Sequence, residues 1–171
     1  VFARLNSLAR DREALNRVRS ETEPSLIGAD YPDFFRVTGA PDPDWIRNGL
    51  IYIQDPSTSL ACRLLDPQPG ETVLDACAAP GGKTALLAAL MQNQGTIIAT
   101  DNAPPRLEQL RENLDRLAVT NTQIKQIDWN TTDLSALNLP AFDAILLDVP
   151  CSNTGVMRRR VDVRWRIQER D

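Results

Sequence analysis

The hydrophobic pattern changes character near residue 49. Before it, apolar residues are scattered among Pro24, Pro32, Pro41 and Pro43, with aromatics at Phe34, Phe35 and Trp45. VFARLN fits a short strand and SLARDREALNRVRS a short helix, but such an irregular stretch cannot close a core alone. Residues 1–48 therefore read as the end of an upstream domain or as an N-terminal extension of the next one. From Gly49 the pattern becomes regular. LIYIQ is a strand candidate, and Asp55-Pro56 gives a helix cap with proline at the first helical position. The helix PSTSLACRLL follows, stops at Asp66-Pro67, and PQPG makes a turn.

An alternation of strands and helices follows. TVLDA reads as a buried strand and KTALLAALMQ as a helix ending near Gly95. GTIIATD is the second strand. PPRLEQLRENLDRLAV is an amphipathic helix with Leu107, Leu110, Leu114 and Leu117 on one face. QIKQID and FDAILLDVP are the third and fourth strands. Strands that alternate with helices predict an α/β fold with a parallel sheet between helical layers. AILLDV is apolar on both faces, as a sheet covered on both sides requires. An open sheet of this kind usually has five to seven strands, roughly, so four predict an incomplete sheet. A fragment, or a minimal sheet needing a partner, is expected.

Composition excludes several classes. No run of about 18 apolar residues is present to span a membrane, and the N-terminus lacks a signal-peptide core. A cytoplasmic protein is the default expectation. The chain has no histidine, so it offers neither a histidine-ligated metal nor a Ser-His-Asp triad. Its three cysteines, Cys62, Cys77 and Cys151, fit no zinc spacing, and reduced thiols are expected. A net charge of -4 argues against gripping nucleic acid by bulk charge. The arginines near the C-terminus, Arg158, Arg159, Arg160, Arg164 and Arg166, form one basic patch, which by itself fits a solvated surface.

The most informative segment is VLDACAAPGGKT, residues 73–84. An apolar strand ends at Asp75, a loop of small residues follows, and a helix starts near Lys83. Small residues let backbone approach a ligand closely, and a helix N-terminus presents free amides. A P-loop would need glycine where Cys77 stands, although Gly82-Lys83-Thr84 fits its end. The dinucleotide pattern G-x-G-x-x-G fails because the glycines are adjacent. S-adenosylmethionine is the third candidate. Its ribose wants a carboxylate, which accepts two hydrogen bonds. Asp101 closes the second strand, 20 residues after Gly81, where a ribose acid is expected. Asp128 closes the third strand, within reach of an adenine amino group, and Asp148 closes the fourth. Four strands ending in Asp75, Asp101, Asp128 and Asp148 predict carboxylates along one edge of the sheet; alternatively each caps a turn.

LLDVPCSNTG is the second informative segment. Pro150 stiffens the turn and Cys151 is displayed at a strand end, a position usually functional in this architecture. The alternative is a small buried hydrophobe. DACAAPGGKT, Asp101, Asp128 and DVPCSNTGVMRR together resemble the RNA 5-methylcytosine methyltransferases. The similarity is greatest to the Sun-type group, that of ribosomal RNA small-subunit methyltransferase B. It runs from about Gly49 to Asp171, including QDPSTSLACRLLDPQPGE.

The resemblance implies a Rossmann-like class I S-adenosylmethionine-dependent methyltransferase fold, incomplete at the C-terminus. Residues 1–48 would join an RNA-binding portion to a methyltransferase domain over 49–171. The motif Cys77, Ala78, Ala79, Pro80, Gly81, Gly82 and Lys83 would wrap the methionine part of the cofactor. Asp101 would hold the ribose, Asp128 would meet the adenine, and Asp148 would lie by cofactor and target base. The family chemistry implied is attack of a cysteine thiolate on carbon 6 of cytosine, which makes carbon 5 nucleophilic toward the methyl group. The base must first leave its stack. Cys151 matches the cysteine associated with product release. The attacking cysteine of the family lies in a Thr-Cys motif, absent from this chain, so the chain is expected to be inactive alone. Arg160-Val161-Asp162 replaces the frequent His-Pro-Asp, leaving Arg158, Arg159 and Arg160 as the expected RNA contacts. The resemblance favours ribosomal RNA as partner. A P-loop nucleotide-binding protein, a non-catalytic RNA-binding form of the same fold, and an amino-group methyltransferase remain as alternatives; for the last, Cys151 stands where an aromatic residue would.

Overall fold

The computed structural model describes residues 1–22, 26–28, 30–133 and 136–149. They form two sheets. The first is antiparallel, with strands β1 (Phe2–Leu5), β2 (Phe34–Arg36) and β3 (Ile51–Ile53) in the order β2-β1-β3. Helix α1 (Arg12–Thr22) lays Leu15 and Val18 into a cluster with Ala3, Leu5, Phe35, Leu50 and Ile51. Helix α1 begins later than the pattern predicts, because the Asp11 carboxylate accepts the Ala14 amide at 2.8 Å and fixes the start there. Two elements were not expected, β2 and the short helix α2 (Pro43–Arg47). Each is too short to show a hydrophobic period; α2 is set by Asp42, whose side chain accepts the Asp44 amide, and by Pro43. This sheet spans residue 48, since β1 finds its second partner in β3.

The second sheet is parallel, in the order β6-β5-β4-β7. Its strands are β4 (Thr72–Asp75), β5 (Thr96–Asp101), β6 (Thr122–Gln126) and β7 (Ala144–Leu146). A 3-10 turn (Pro56–Ser59) and helices α3 (Leu60–Leu65), α4 (Gly82–Leu90) and α5 (Pro104–Arg116) accompany it. The predicted helix over 56–65 is thus split in two, while its cap is as expected, Asp55 accepting the Ser57 amide. Neighbouring residues of β4 and β5 point to opposite faces, yet Val73, Leu74, Ile97 and Ile98 are all buried. Both faces are therefore covered. One meets α4 and, through Leu107, Leu110 and Leu114, α5; Leu74 and Ile98 on the other meet Trp129, Leu139 and Phe142.

Strands β5 and β6 lie on one side of β4, and β7 lies on the other. The connection order reverses between β4 and β7. Ligands of open α/β sheets bind outside the carboxyl ends of the strands at such a reversal. Strands β6 and β7 end earlier than their apolar runs suggest, so Asp128 and Asp148 each lie two residues past a strand end. Among the described residues, no helix is long and apolar enough to cross a membrane.

Candidate functional site

The loop from Cys77 to Lys83 joins β4 to α4 and is held on every side. The Ala78 amide donates to the Thr100 carbonyl at 2.8 Å, and the Gly81 amide to the Ala78 carbonyl at 2.8 Å. Arg106 donates to the Ala79 carbonyl at 2.7 Å, and Asn113 to the Pro80 carbonyl at 2.8 Å. Both donors come from α5. The two glycines also meet constraints from the protein itself. Gly81 has φ +104°, and a Cβ there would lie 2.9 Å from Leu110 Cδ1. A Cβ on Gly82 would lie 2.6 Å from Tyr52 Cε1.

The four acids part company. Asp75 closes β4 but is buried, 1% exposed, with Oδ2 accepting the Thr84 hydroxyl at 2.7 Å and the Cys77 backbone amide nearby. Burial pushes its carboxyl up to about 6, against the Thr84 hydrogen bond and the Lys83 charge, which lower it. Asp75 lines neither cavity at the strand tips, so it is a structural acid beneath the loop. Asp101 closes β5 and borders a cavity of about 380 Å3. Its carboxylate accepts the Ala103 amide at 3.2 Å and lies 3.3 Å from the Arg106 guanidinium. Asp128 borders the same cavity and also caps its own turn, accepting the Asn130 amide at 3.0 Å. Asp148 borders a second, smaller cavity of about 150 Å3 and pairs with Lys83 Nζ at 2.6 Å.

The larger cavity has both acidic and apolar residues in its lining. Asp101 and Asp128 face it with Ile127, Trp129, Leu147 and Val149. Its volume lies in the range of small-molecule sites, roughly 300–1,000 Å3. Cys77 borders both cavities, and Ala78, Ala79, Pro80, Gly82 and Lys83 border the smaller one with Tyr52 and Gln54. Gly81 lines neither.

Trp129, Arg106, Tyr52 and Gln54 were missed from sequence. Trp129 is held by two hydrogen bonds from Nε1, to the Ala76 carbonyl at 2.8 Å and to Thr100 Oγ1 at 3.0 Å. Its position immediately after Asp128 was the available signal. Tyr52 comes from β3 of the first sheet and Gln54 follows just after it, and nothing in a linear pattern carries them to the loop.

Neither described cysteine is poised as a nucleophile. Burial pushes Cys62 up to about 12, and it raises Cys77 as well; a thiol attacks as thiolate. Cys151, Arg158, Arg159 and Arg160 lie outside the described residues.

The sequence profile of the 16S rRNA methyltransferase RsmB/F family matches residues 62–171. The chain belongs to this family. Ribosomal RNA small subunit methyltransferase B of Pectobacterium carotovorum is 38% identical to this RsmB/F chain over 176 residues, covering 100% of the chain and 40% of that protein. A methyltransferase homologue from Pyrococcus horikoshii superimposes with a TM-score of 0.72 at 36% identity, covering 94% of this chain and 53% of that one. NSun6 from Pyrococcus horikoshii, crystallised with SFG, gives 0.61 at 35% identity, covering 71% and 31%. The fold is the Rossmann-like fold of S-adenosylmethionine-dependent methyltransferases. RsmB/F membership leaves the P-loop alternative without support. The chain spans 37–40% of the length of the first curated relatives it matches.

Proposed function

We propose that the protein to which this chain belongs transfers a methyl group from S-adenosylmethionine to carbon 5 of cytosine in RNA, with 16S ribosomal RNA as substrate. The RsmB/F description names that RNA, and NSun6 was crystallised with SFG, an S-adenosylmethionine analogue. The observation that carries the proposal is the cavity at the strand tips. Two carboxylates, Asp101 and Asp128, border it together with the apolar residues Ile127 and Trp129. An adenosyl group needs this combination: acceptors for its hydroxyl and amino groups, and apolar surface for its flat base.

The chain's own residues divide the work. Asp101, held by the Ala103 amide and Arg106, accepts from the ribose hydroxyls. Asp128 meets the adenine edge. The loop Cys77, Ala78, Ala79, Pro80, Gly81, Gly82, Lys83 encloses the methionine end. When bound, S-adenosylmethionine supplies an electrophilic methyl group on its sulfonium. Lys83 holds Asp148 in place at 2.6 Å, beside cofactor and target base. Cys151 serves product release, and Arg158, Arg159 and Arg160 contact RNA phosphates. The attacking thiolate is not among these residues, because no Thr-Cys pair occurs; the chain alone binds the cofactor without completing transfer. Residues 1–48 are an N-terminal extension of the methyltransferase domain of 49–171, a reading supported by the pairing of β1 with β3 across that boundary.

Calorimetry with S-adenosylmethionine tests the proposal. Saturable binding is expected, weakened at least about tenfold in Asp101→Ala, as the loss of charge-assisted hydrogen bonds implies. No heat at millimolar ligand, with the fold intact by circular dichroism, would refute it.

A further inference from the structure

Strand β1 and the residue after it turn two buried polar side chains toward the parallel-sheet half. Arg4 and Asn6 are two residues apart, hence on one face of extended chain, and each is 2% exposed. Asn6 Nδ2 donates to the Gly49 carbonyl at 2.8 Å and to the Leu117 carbonyl at 3.0 Å, the latter at the end of α5. Arg4 reaches the start of α4 instead. Its Nε donates to Gln54 Oε1 at 3.0 Å, and its Nη2 to the Gly82 carbonyl at 3.5 Å. Tyr52 of β3 packs against Gly82 so closely that no side chain fits there.

A guanidinium removed from water against neutral acceptors is costly, and an apolar residue of similar volume often serves stability as well. Burial pulls Arg4 down to about 10, so it remains charged at neutral pH. Its value must then lie in where it points. Gly82 is the first residue of α4 and borders the smaller cavity, together with Tyr52 of β3 and Gln54 just after it. We propose that Arg4 is a positioning residue: from the small antiparallel sheet it fixes the Gly82 carbonyl, and so sets the cofactor loop against the strand tips. This rests on the proposed function. The small sheet is thereby part of the cofactor site, reached through the carbonyl side of the loop.

Titrations of the whole chain with S-adenosylmethionine, alongside thermal unfolding, test this with Arg4→Met, Arg4→Lys and Asn6→Ala. Asn6→Ala cuts a tie remote from the loop; it should lower the melting temperature and leave cofactor affinity within about twofold. Arg4→Met should weaken binding about tenfold at temperatures where it is fully folded. Should Arg4→Met fail to fold, Arg4→Lys decides, since it keeps the charge and loses the fork. Its amides at Gly81 and Ala85, which donate to the Ala78 and Gly81 carbonyls, should then exchange at least about tenfold faster, with those of β5 unchanged. Arg4 variants that bind like wild type, or whose loop amides keep wild-type protection, overturn the proposal. Wild-type protein that binds no S-adenosylmethionine defeats the proposed function instead, while the exchange comparison still judges the brace.

Discussion

Each sheet buries charge beside the same loop. In the parallel sheet the buried acids are Asp75, at the end of β4 beneath the loop, and Asp101, at the end of β5. In the antiparallel sheet the buried charge is Arg4, in β1, which reaches the Gly82 carbonyl. Around them the packing differs. The central strands β4 and β5 are apolar and covered on both faces, whereas β6 reads TQIKQ and Ile145 of β7 is exposed, contrary to the expectation that AILLDV is covered on both sides. The small sheet has one compact apolar cluster and joins the rest of the molecule through Tyr52, packed against the α5 cluster, and through polar groups: Arg4, Asn6 and Arg116, which donates to the Ile46 carbonyl at 2.6 Å. The comparison teaches that a sheet with few strands becomes part of a site when directional bonds add to packing in fixing its orientation.

The joint between the sheets is the most sensitive point. Gly49 has φ +66°, and a Cβ there would overlap the Arg116 carbonyl. Gly49→Ala should cost about 4 kcal/mol, from positive-φ strain and overpacking together. Urea unfolding checks this, and a loss below about 1 kcal/mol would mean that the two halves are not rigidly joined there.

Asp75 gives the next effect. Its folded carboxyl titrates near 6 rather than 3.8, so the folded state holds the proton more tightly than the unfolded chain. Stability is then greatest below the unfolded value, falls as pH rises between 3.8 and about 6, and stays reduced above. The loss is up to about 3 kcal/mol. Asp75→Asn should flatten that decline in chemical unfolding measured from pH 4 to pH 7. An unchanged pH slope in the variant would show that other groups cause it.

The elements that carry this comparison were unequally legible from sequence. Strands β4 and β5 stood out because both faces are covered and their residues are apolar in succession. The amphipathic spacing of Leu107, Leu110 and Leu114 announced α5, which buries all three. Strand β2 and helix α2 left no period to detect. At the site, Asp101 and Asp128 were found through strand-end position and do border one cavity. Asp75 has the same linear signature but points inward, because Thr84 supplies a buried partner nine residues on. Arg4 and Tyr52 could not be found this way. Their roles depend on a non-local approach, 78 residues apart for Arg4 and Gly82, which linear patterning does not encode.

Smaller effects sharpen the contrast between directional and surface ties. Asn6→Ala leaves the Gly49 and Leu117 carbonyls short of a donor and should cost about 2 kcal/mol in urea unfolding. Arg10 and Asp115 also bridge the two halves, at 2.8 Å, but their side chains are 70% and 81% exposed. Arg10→Ala should therefore change stability by no more than about 0.5 kcal/mol, and less in high salt. Equal costs for the two variants would erase the distinction.

The most direct measurement is a crystal structure of this chain with S-adenosylhomocysteine. Ligand density should run from the edge shared by Asp101 and Asp128, past Trp129, to the loop between Cys77 and Lys83. Density elsewhere on the molecule, or a well-ordered site left empty at saturating ligand, would contradict the account.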